Sequence, residues 1–166
     1  MKVIALLPAR LNSKRIKNKL LQKLEGIPLI LHTISRVKLC KNIDSIVVCT
    51  DSKKIRKVVE ENGVKVLMTS KKHKNGTERI CEIIDKINSN LVIDVHSDEA
   101  LLDPKNLSNL INFHKKNKQF DIVVPHKISK EDGGKNVVKI LTNKENKIIY
   151  FTRSKSPFDF KNKKPK

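Results

Sequence analysis

Tryptophan is absent from the 166-residue sequence, tyrosine occurs once and aromatic residues make up only 4%. Proteins that hold single-stranded nucleic acid stack bases on aromatic rings, so this scarcity argues against that class. Cysteine is also scarce: Cys40, Cys49 and Cys81 are odd in number and show no C-x-x-C spacing, so neither a zinc knuckle nor a disulfide framework is expected. With 5 glycines, neither G-x-x-x-x-G-K-S/T nor G-x-G-x-x-G occurs, which excludes the two familiar glycine-rich phosphate loops. No apolar run approaches the roughly 20 residues that cross a bilayer. Met1-Lys2-Val3 leads into a strand-length run rather than a signal-peptide core, so the expected location is cytoplasmic, with no membrane partner.

Negative charge is the other deficit: 17 acidic residues face 36 basic ones, for a net charge of +19. Such an excess points first to an acidic partner, and a basic nucleic-acid-binding module is one reading of it. The basic residues are 30 Lys and only 6 Arg, scattered along a chain rich in Asn and Ile. Drift toward A/T-rich codons gives that composition without any binding function, and a solvated surface accounts for most of these lysines.

What is present is a globular pattern, with 38% hydrophobic residues in a length that suits one domain. Val3 to Leu7 is a continuous apolar run ended by Pro8, as expected of a central strand covered on both faces. Gly26-Ile27-Pro28 opens a helix lined on one side by Ile30, Thr33, Ile34 and Val37. Ile46 to Val48 is a second strand, and Asp51 can cap a helix carrying Ile55, Val58 and Val59 that stops at Asn62-Gly63. Val64 to Met68 is a third strand; Thr77 to Ile87 reads as a helix, with Ile80, Ile83, Ile84 and Ile87 at helical spacing. Leu91 to Val95 is a fourth strand, Asp103-Pro104 caps a helix to about Lys116, Ile122 to Val124 is a fifth strand, and 137–141 with 148–151 form a hairpin. Strands alternating with helices predict an α/β layered domain, a mainly parallel sheet with helices on both faces, spanning 1–158 and followed by a frayed basic tail, 159–166. Ligands of such sheets bind at the carboxyl ends of strands, where the polar loops at Ala9, Ser70 and His96 are expected to lie.

The first of these loops carries Arg10, Arg15 and Lys19. Several cations converging from one segment suit a polyphosphate, and guanidinium groups match phosphate oxygens in pairs. By spacing alone an exposed basic loop is the more ordinary reading of them. Asp98 before Glu99 is in turn either a strand-end turn or helix cap, or a carboxylate offered to a cation. His73 reads as a surface histidine by itself, and His32, His114 and His126 have no motif around them.

Four stretches in order give the chain a likeness. Leu7-Pro8-Ala9-Arg10-Leu11-Asn12-Ser13-Lys14-Arg15-Ile16-Lys17-Asn18-Lys19 resembles the P-A-R-x-x-S-x-R-x-x-x-K signature of the CMP-KDO synthetases, or 3-deoxy-manno-octulosonate cytidylyltransferases. His73 to Arg79 resembles H-x-x-G-T-E-R, Asp94 to Ala100 resembles the strand end with Q-G-D-E-P, and Tyr150 to Ser154 completes the order. The resemblance implies a Rossmann-like nucleotide-diphospho-sugar transferase fold and Mg²⁺-dependent transfer of a cytidylyl group from CTP to an acidic eight-carbon sugar, KDO or an analogue, in lipopolysaccharide biosynthesis. By the same resemblance Pro8, Ala9, Arg10, Ser13, Arg15, Lys19, Gly76, Thr77 and Arg79 would hold the nucleotide, and Asp98 would ligate Mg²⁺. His96, Ser97 and Arg153 would meet the sugar, and Arg10, Lys19, Asp98 and Arg153 would act in the chemistry.

The sequence also departs from the family pattern. Ile16-Lys17-Asn18-Lys19 replaces L-P-G-K, and Asn18 can take the left-handed conformation that glycine would use there. His96-Ser97-Asp98-Glu99-Ala100 replaces Q-G-D-E-P, which puts an imidazole where an amide is usual. Family members run beyond this length, and that segment normally supplies a second magnesium-binding aspartate, part of the sugar pocket and much of the homodimer contact. A catalytically impaired or partner-dependent nucleotide-binding relative is the alternative reading.

Overall fold

The computed structural model describes residues 1–13, 16–128, 134–154, 158–159 and 164–165. They fall into two compact units, Met1–Asp121 and Ile122–Lys166. The first unit begins with β1 (Val3–Ala9), the two-residue strands β2 (Lys23–Leu24) and β3 (Ile27–Pro28), and α1 (Leu29–Lys38). It continues with β4 (Ser45–Thr50), α2 (Lys53–Glu61), β5 (Lys65–Met68), α3 (Gly76–Ile83), β6 (Leu91–Asp94) and α4 (Pro104–Lys116).

The sheet runs β5-β4-β1-β6, and all of its pairings are parallel. Along β1 the side chains alternate between two cores, as a pleat requires. Val3, Ala5, Leu7 and Ala9 pack with α1, α2 and α4 through Ile30, Ile34, Val37, Ile55, Val59, Leu107 and Ile111. Ile4 and Leu6 pack with Val47, Cys49 and, from α3, Ile80 and Ile83. A strand apolar at every position is therefore what a sheet covered on both faces needs, and the expected α/β architecture is the one observed. Among the described residues no helix is long and apolar enough to cross a membrane.

Several boundaries differ from the sequence expectation for physical reasons. Pro8 does not end β1 but lies within it, opposite Cys49 of β4. Pairing with β6 stops at Leu6↔Asp94, so the N–H that proline lacks would face a flank already free of ladder bonds. Asp51 does not cap α2; Ser52 does, its Oγ accepting from the Ile55 N–H at 3.3 Å from an extended backbone. The helix expected over 77–87 is α for Gly76–Ile83 and tightens to a 3₁₀ turn at Ile84–Lys86. The strand expected at Ile122 to Val124 is absent: these residues pair with no strand among the described residues, and Ile122 is 78% exposed.

The second unit contains the hairpin of β7 (Lys139–Thr142) and β8 (Ile148–Thr152), antiparallel from Lys139↔Thr152 to Thr142↔Ile148 with a bulge after Leu141. Its turn is held by the Asn143 side chain, which accepts from the Glu145 and Lys147 N–H groups, and by Asn146 in the left-handed region at φ 60°. Across the start of the expected tail, 159–166, β9 (Phe158–Asp159) pairs antiparallel with β10 (Lys164–Pro165), while residues 160–163 and 166 lie outside the described residues.

Candidate functional site

In the order β5-β4-β1-β6 the chain first winds to one side of β1 and then crosses to the other, so the switch point lies between β1 and β6. Open parallel sheets leave a crevice at the carboxyl ends of the strands at that point. The loops that follow β1 and β6, residues 10–19 and 95–99, both begin there.

The first loop is fixed at its far end. Asn18 takes φ 52° and ψ 38°, the left-handed conformation expected of it, and its carbonyl accepts from the Leu21 N–H at 2.9 Å. Gln22 closes the turn by donating its Nε2 to the Lys17 carbonyl at 3.0 Å, and Leu20 is buried in the core shared with α1. This turn holds Lys19, whose Nζ donates to the Asp98 carboxylate. Arg10 is exposed and Ser13 half-buried, whereas Lys14 and Arg15 lie outside the described residues.

The second loop is tied down by Ser97. Its Oγ donates to the Pro8 carbonyl at 2.8 Å, its own carbonyl accepts from Thr33 Oγ1 of α1 at 3.0 Å, and the residue is 4% exposed. Ser97 thus clamps the end of β1 to α1 and fixes where its neighbours emerge. Glu99 N–H donates to the His96 carbonyl at 3.2 Å, making a turn from which His96, Asp98 and Glu99 all project exposed. Their ligand atoms lie within 4.8 Å of one another. Partial burial works to raise the Asp98 carboxyl, but the hydrogen bond and charge of Lys19, helped by His96, outweigh it and hold the group below the usual carboxylate range. An ionised carboxylate beside a second carboxylate and an imidazole is a donor set that fits a divalent cation.

The third piece is the start of α3. Asn75 caps it, accepting from the Glu78 N–H at 2.8 Å, and Glu78 reaches back past the cap to accept from the Lys74 N–H at 2.8 Å, a variant of the capping box shifted by one residue. Gly76 lies so close to the end of β1 that a Cβ there would meet Pro8 Cγ at 3.0 Å and Cβ at 3.3 Å. Glycine is needed here for close approach, and Thr77 follows it exposed at the first turn. Arg79, expected near the nucleotide, is 3% exposed and spends its guanidinium inside the protein. It bonds to Asp51 at 2.9 Å, to Thr69 Oγ1 and to the Ser70 carbonyl at 3.4 Å, linking α3 to the ends of β4 and β5. The Cys49 thiol nearby is pushed up to about 12 by burial, with Asp94 adding to the rise and Arg79 opposing it. His73 binds Glu82 on the same helix, and that bond, with the Ser70 N–H, lowers the Glu82 carboxyl.

Among the residues named from sequence, the structure thus brings Pro8, Lys19, Gly76, Ser97 and Asp98 into one neighbourhood. Arg153 lies in the second unit, where its Nη1 donates to the Asn136 carbonyl at 2.9 Å. Sequence reasoning placed Thr33 on the inner side of α1 and Asp51 as a cap, but gave no sign that Thr33 would hold the Ser97 carbonyl or that Asp51 would hold the Arg79 guanidinium.

The family model described as cytidylyltransferase matches residues 4–166. A 3-deoxy-manno-octulosonate cytidylyltransferase from Thermodesulfovibrio yellowstonii is 37% identical over 96% of this chain and 66% of that protein. An 8-amino-3,8-dideoxy-manno-octulosonate cytidylyltransferase from a Shewanella species is 36% identical over 95% of this chain and 67% of its own length. The chain thus spans about two thirds of the length of the curated relatives it matches. Among solved structures, CMP:2-keto-3-deoxy-manno-octonic acid synthetase complexed with CTP superposes with a TM-score of 0.83 at 28% identity, covering 99% of this chain and 69% of the other. A fold wound on a β1–β6 switch point, a family match over nearly its whole length and relatives above 30% identity leave one assignment: the chain belongs to the cytidylyltransferase family.

Proposed function

We propose that the chain transfers a cytidylyl group from CTP to the anomeric hydroxyl of an acidic eight-carbon sugar, KDO or its 8-amino analogue. The observation that carries this reading is the meeting of Lys19 and Asp98 at the switch point, a phosphate-seeking cation and a metal-seeking carboxylate delivered by two different loops. The names of the relatives supply the nucleotide and the sugar class. In the reaction the sugar oxygen forms a bond to the α-phosphorus, the α–β anhydride bond breaks, pyrophosphate leaves and the sugar hydroxyl proton is released.

The residues do this mainly by positioning and by neutralising charge. Arg10, Arg15 and Lys19 hold the phosphates, with Ser13 and the backbone of Pro8 and Ala9 beside them. Gly76 and Thr77 bring the positive end of α3 toward the nucleotide. Asp98 would hold a divalent cation, Mg²⁺ in this proposal, which would supply neutralisation of the phosphate charge. Ser97, buried between Pro8 and Thr33, sets the height of Asp98, and His96, beside it on the same turn, is assigned to the sugar. Arg79 contributes by bracing α3 against the ends of β4 and β5. The proposal keeps residues 1–158 as one working domain, with a homodimer as the assembly and the cytoplasm as the location.

Asp98→Asn tests the assignment, because the amide keeps the size of the side chain but lacks the charge that recruits the cation. CTP binding should persist while turnover falls by orders of magnitude. Near-parental turnover with unchanged Mg²⁺ dependence would show that Asp98 holds no metal.

A further inference from the structure

Two carboxylates one turn apart on α3, Glu78 and Glu82, take up the donors of the segment that joins β5 to this helix. Glu82 accepts from the Ser70 N–H at 2.8 Å and from His73 Nε2 at 2.5 Å. Glu78 accepts from the Lys74 N–H at 2.8 Å and from Asn75 Nδ2 at 3.0 Å. Within the segment, Ser70 Oγ accepts from the Lys72 N–H at 3.1 Å, and His73 Nδ1 lies 4.0 Å from Glu78, so the ring spans both carboxylates. Lys71, Lys72 and Lys74 are exposed within four residues, and like charges so close together favour a spread, extended chain. The order of the segment therefore comes from α3. The segment then runs directly into Gly76, which passes Pro8 too closely for a Cβ.

We propose that Glu82, acting through His73 and the Ser70 N–H, is a positioning residue for the nucleotide: it holds the segment after β5 in the arrangement that seats Gly76 and Thr77 beside the end of β1. The inference rests on the reading of Gly76 and Thr77 as nucleotide contacts and adds what sets their place. The His73 hydrogen bond, with that of the Ser70 N–H, holds the Glu82 carboxyl below its usual range, so it stays an acceptor for both donors. The helix does not depend on this tie. Ile80 and Ile83 anchor α3 in the core, and Arg79 braces it on Asp51. Loss of Glu82 therefore frees the segment and leaves the helix in place, so the effect belongs in CTP affinity rather than in the chemical step.

Calorimetric titration of the whole chain with CTP provides the test, compared across wild type, Glu82→Ala, His73→Ala, His73→Gln, Gly76→Ala and Ser52→Ala, each shown to be folded by circular dichroism. Glu82→Ala and His73→Ala should weaken CTP about tenfold, the scale of a lost hydrogen bond to a charged group, and the Ser70 amide should exchange faster with solvent in Glu82→Ala. His73→Gln keeps an N–H for the carboxylate and should recover most of the affinity. Ser52→Ala, which loses the cap of α2 instead, should bind CTP as the wild type does. In turnover, Glu82→Ala should raise KM for CTP while the rate at saturating CTP stays within about twofold. Wild-type CTP affinity in folded Glu82→Ala, with weaker binding by Gly76→Ala, would overturn the proposal and leave the reading of Gly76 intact. Wild-type affinity in both would overturn the two together. An equal loss in Ser52→Ala would also overturn the proposal, because general destabilisation would then account for the effect.

Discussion

In the proposed site, the contact between Lys19 and Asp98 engages the two groups that CTP and its cation would use. Asp98→Asn should therefore strengthen CTP binding when no divalent cation is present, although it disables catalysis. The magnitude follows from exposure: the side chains are 33% and 35% accessible, so the pair is worth about 0.5–1 kcal/mol after solvent screening rather than the several expected of a buried one. Releasing that constraint corresponds to about a 2–5-fold lower Kd, since 1.4 kcal/mol is tenfold. Removal of a carboxylate near the phosphates acts in the same direction. The assay is calorimetric titration of CTP in EDTA, with Lys19→Met as the comparison, which should bind CTP more weakly than wild type. Unchanged or weaker CTP binding by a folded Asp98→Asn protein would refute the idea that Lys19 is shared between the carboxylate and the nucleotide.

Arg79→Ala should lower unfolding free energy by about 3 kcal/mol, because it strands the Asp51 carboxylate and the Thr69 hydroxyl; an unchanged urea midpoint would show that the brace is idle. Ser52→Ala should cost about 1 kcal/mol through the lost cap of α2, and Asp51→Ala should leave that cap bond in place. Gly76→Ala should weaken CTP binding more than it lowers stability, because the new methyl must push α3 off Pro8; equal CTP affinity would mean that the start of α3 lies away from the nucleotide. The Glu82 carboxyl is lowered from 4.5 by its His73 and Ser70 partners, so its contribution to stability is present above that pH and is lost as pH falls through the folded value. Glu82→Gln should accordingly flatten the acid limb of the stability profile, and an identical limb in the variant would contradict the assignment.

The layered fold was legible because its signals are local: apolar runs of strand length, helical spacing of isoleucines and turn residues at Asn62-Gly63 and Asn143 to Asn146. The left-handed Asn18 was legible for the same reason, since the loop motif demanded a residue tolerant of positive φ. What was not legible depended on distant partners. Asp51 and Ser52 are both good caps in sequence, and the choice fell to Ser52 in a structure where Asp51 pairs with Arg79, 28 residues away. For Arg79, named for the nucleotide by resemblance, sequence does not show that its guanidinium engages Asp51, Thr69 and Ser70. For Ser97, named for the substrate, sequence does not show that its hydroxyl is fixed on Pro8, 89 residues earlier. Reading a short apolar run as a strand also fails at Ile122 to Val124, where β-propensity is present but no strand partner is found among the described residues.

The most direct measurement of the central claim is product formation by this chain itself. The protein is incubated with CTP, Mg²⁺ and KDO or its 8-amino analogue, with a longer relative run alongside, and both pyrophosphate and the CMP-sugar are quantified. The account predicts the two products in equal amounts, dependent on the sugar and abolished by Asp98→Asn. CTP binding without either product, while the longer relative turns over, would contradict the transfer activity and leave a nucleotide-binding relative in its place.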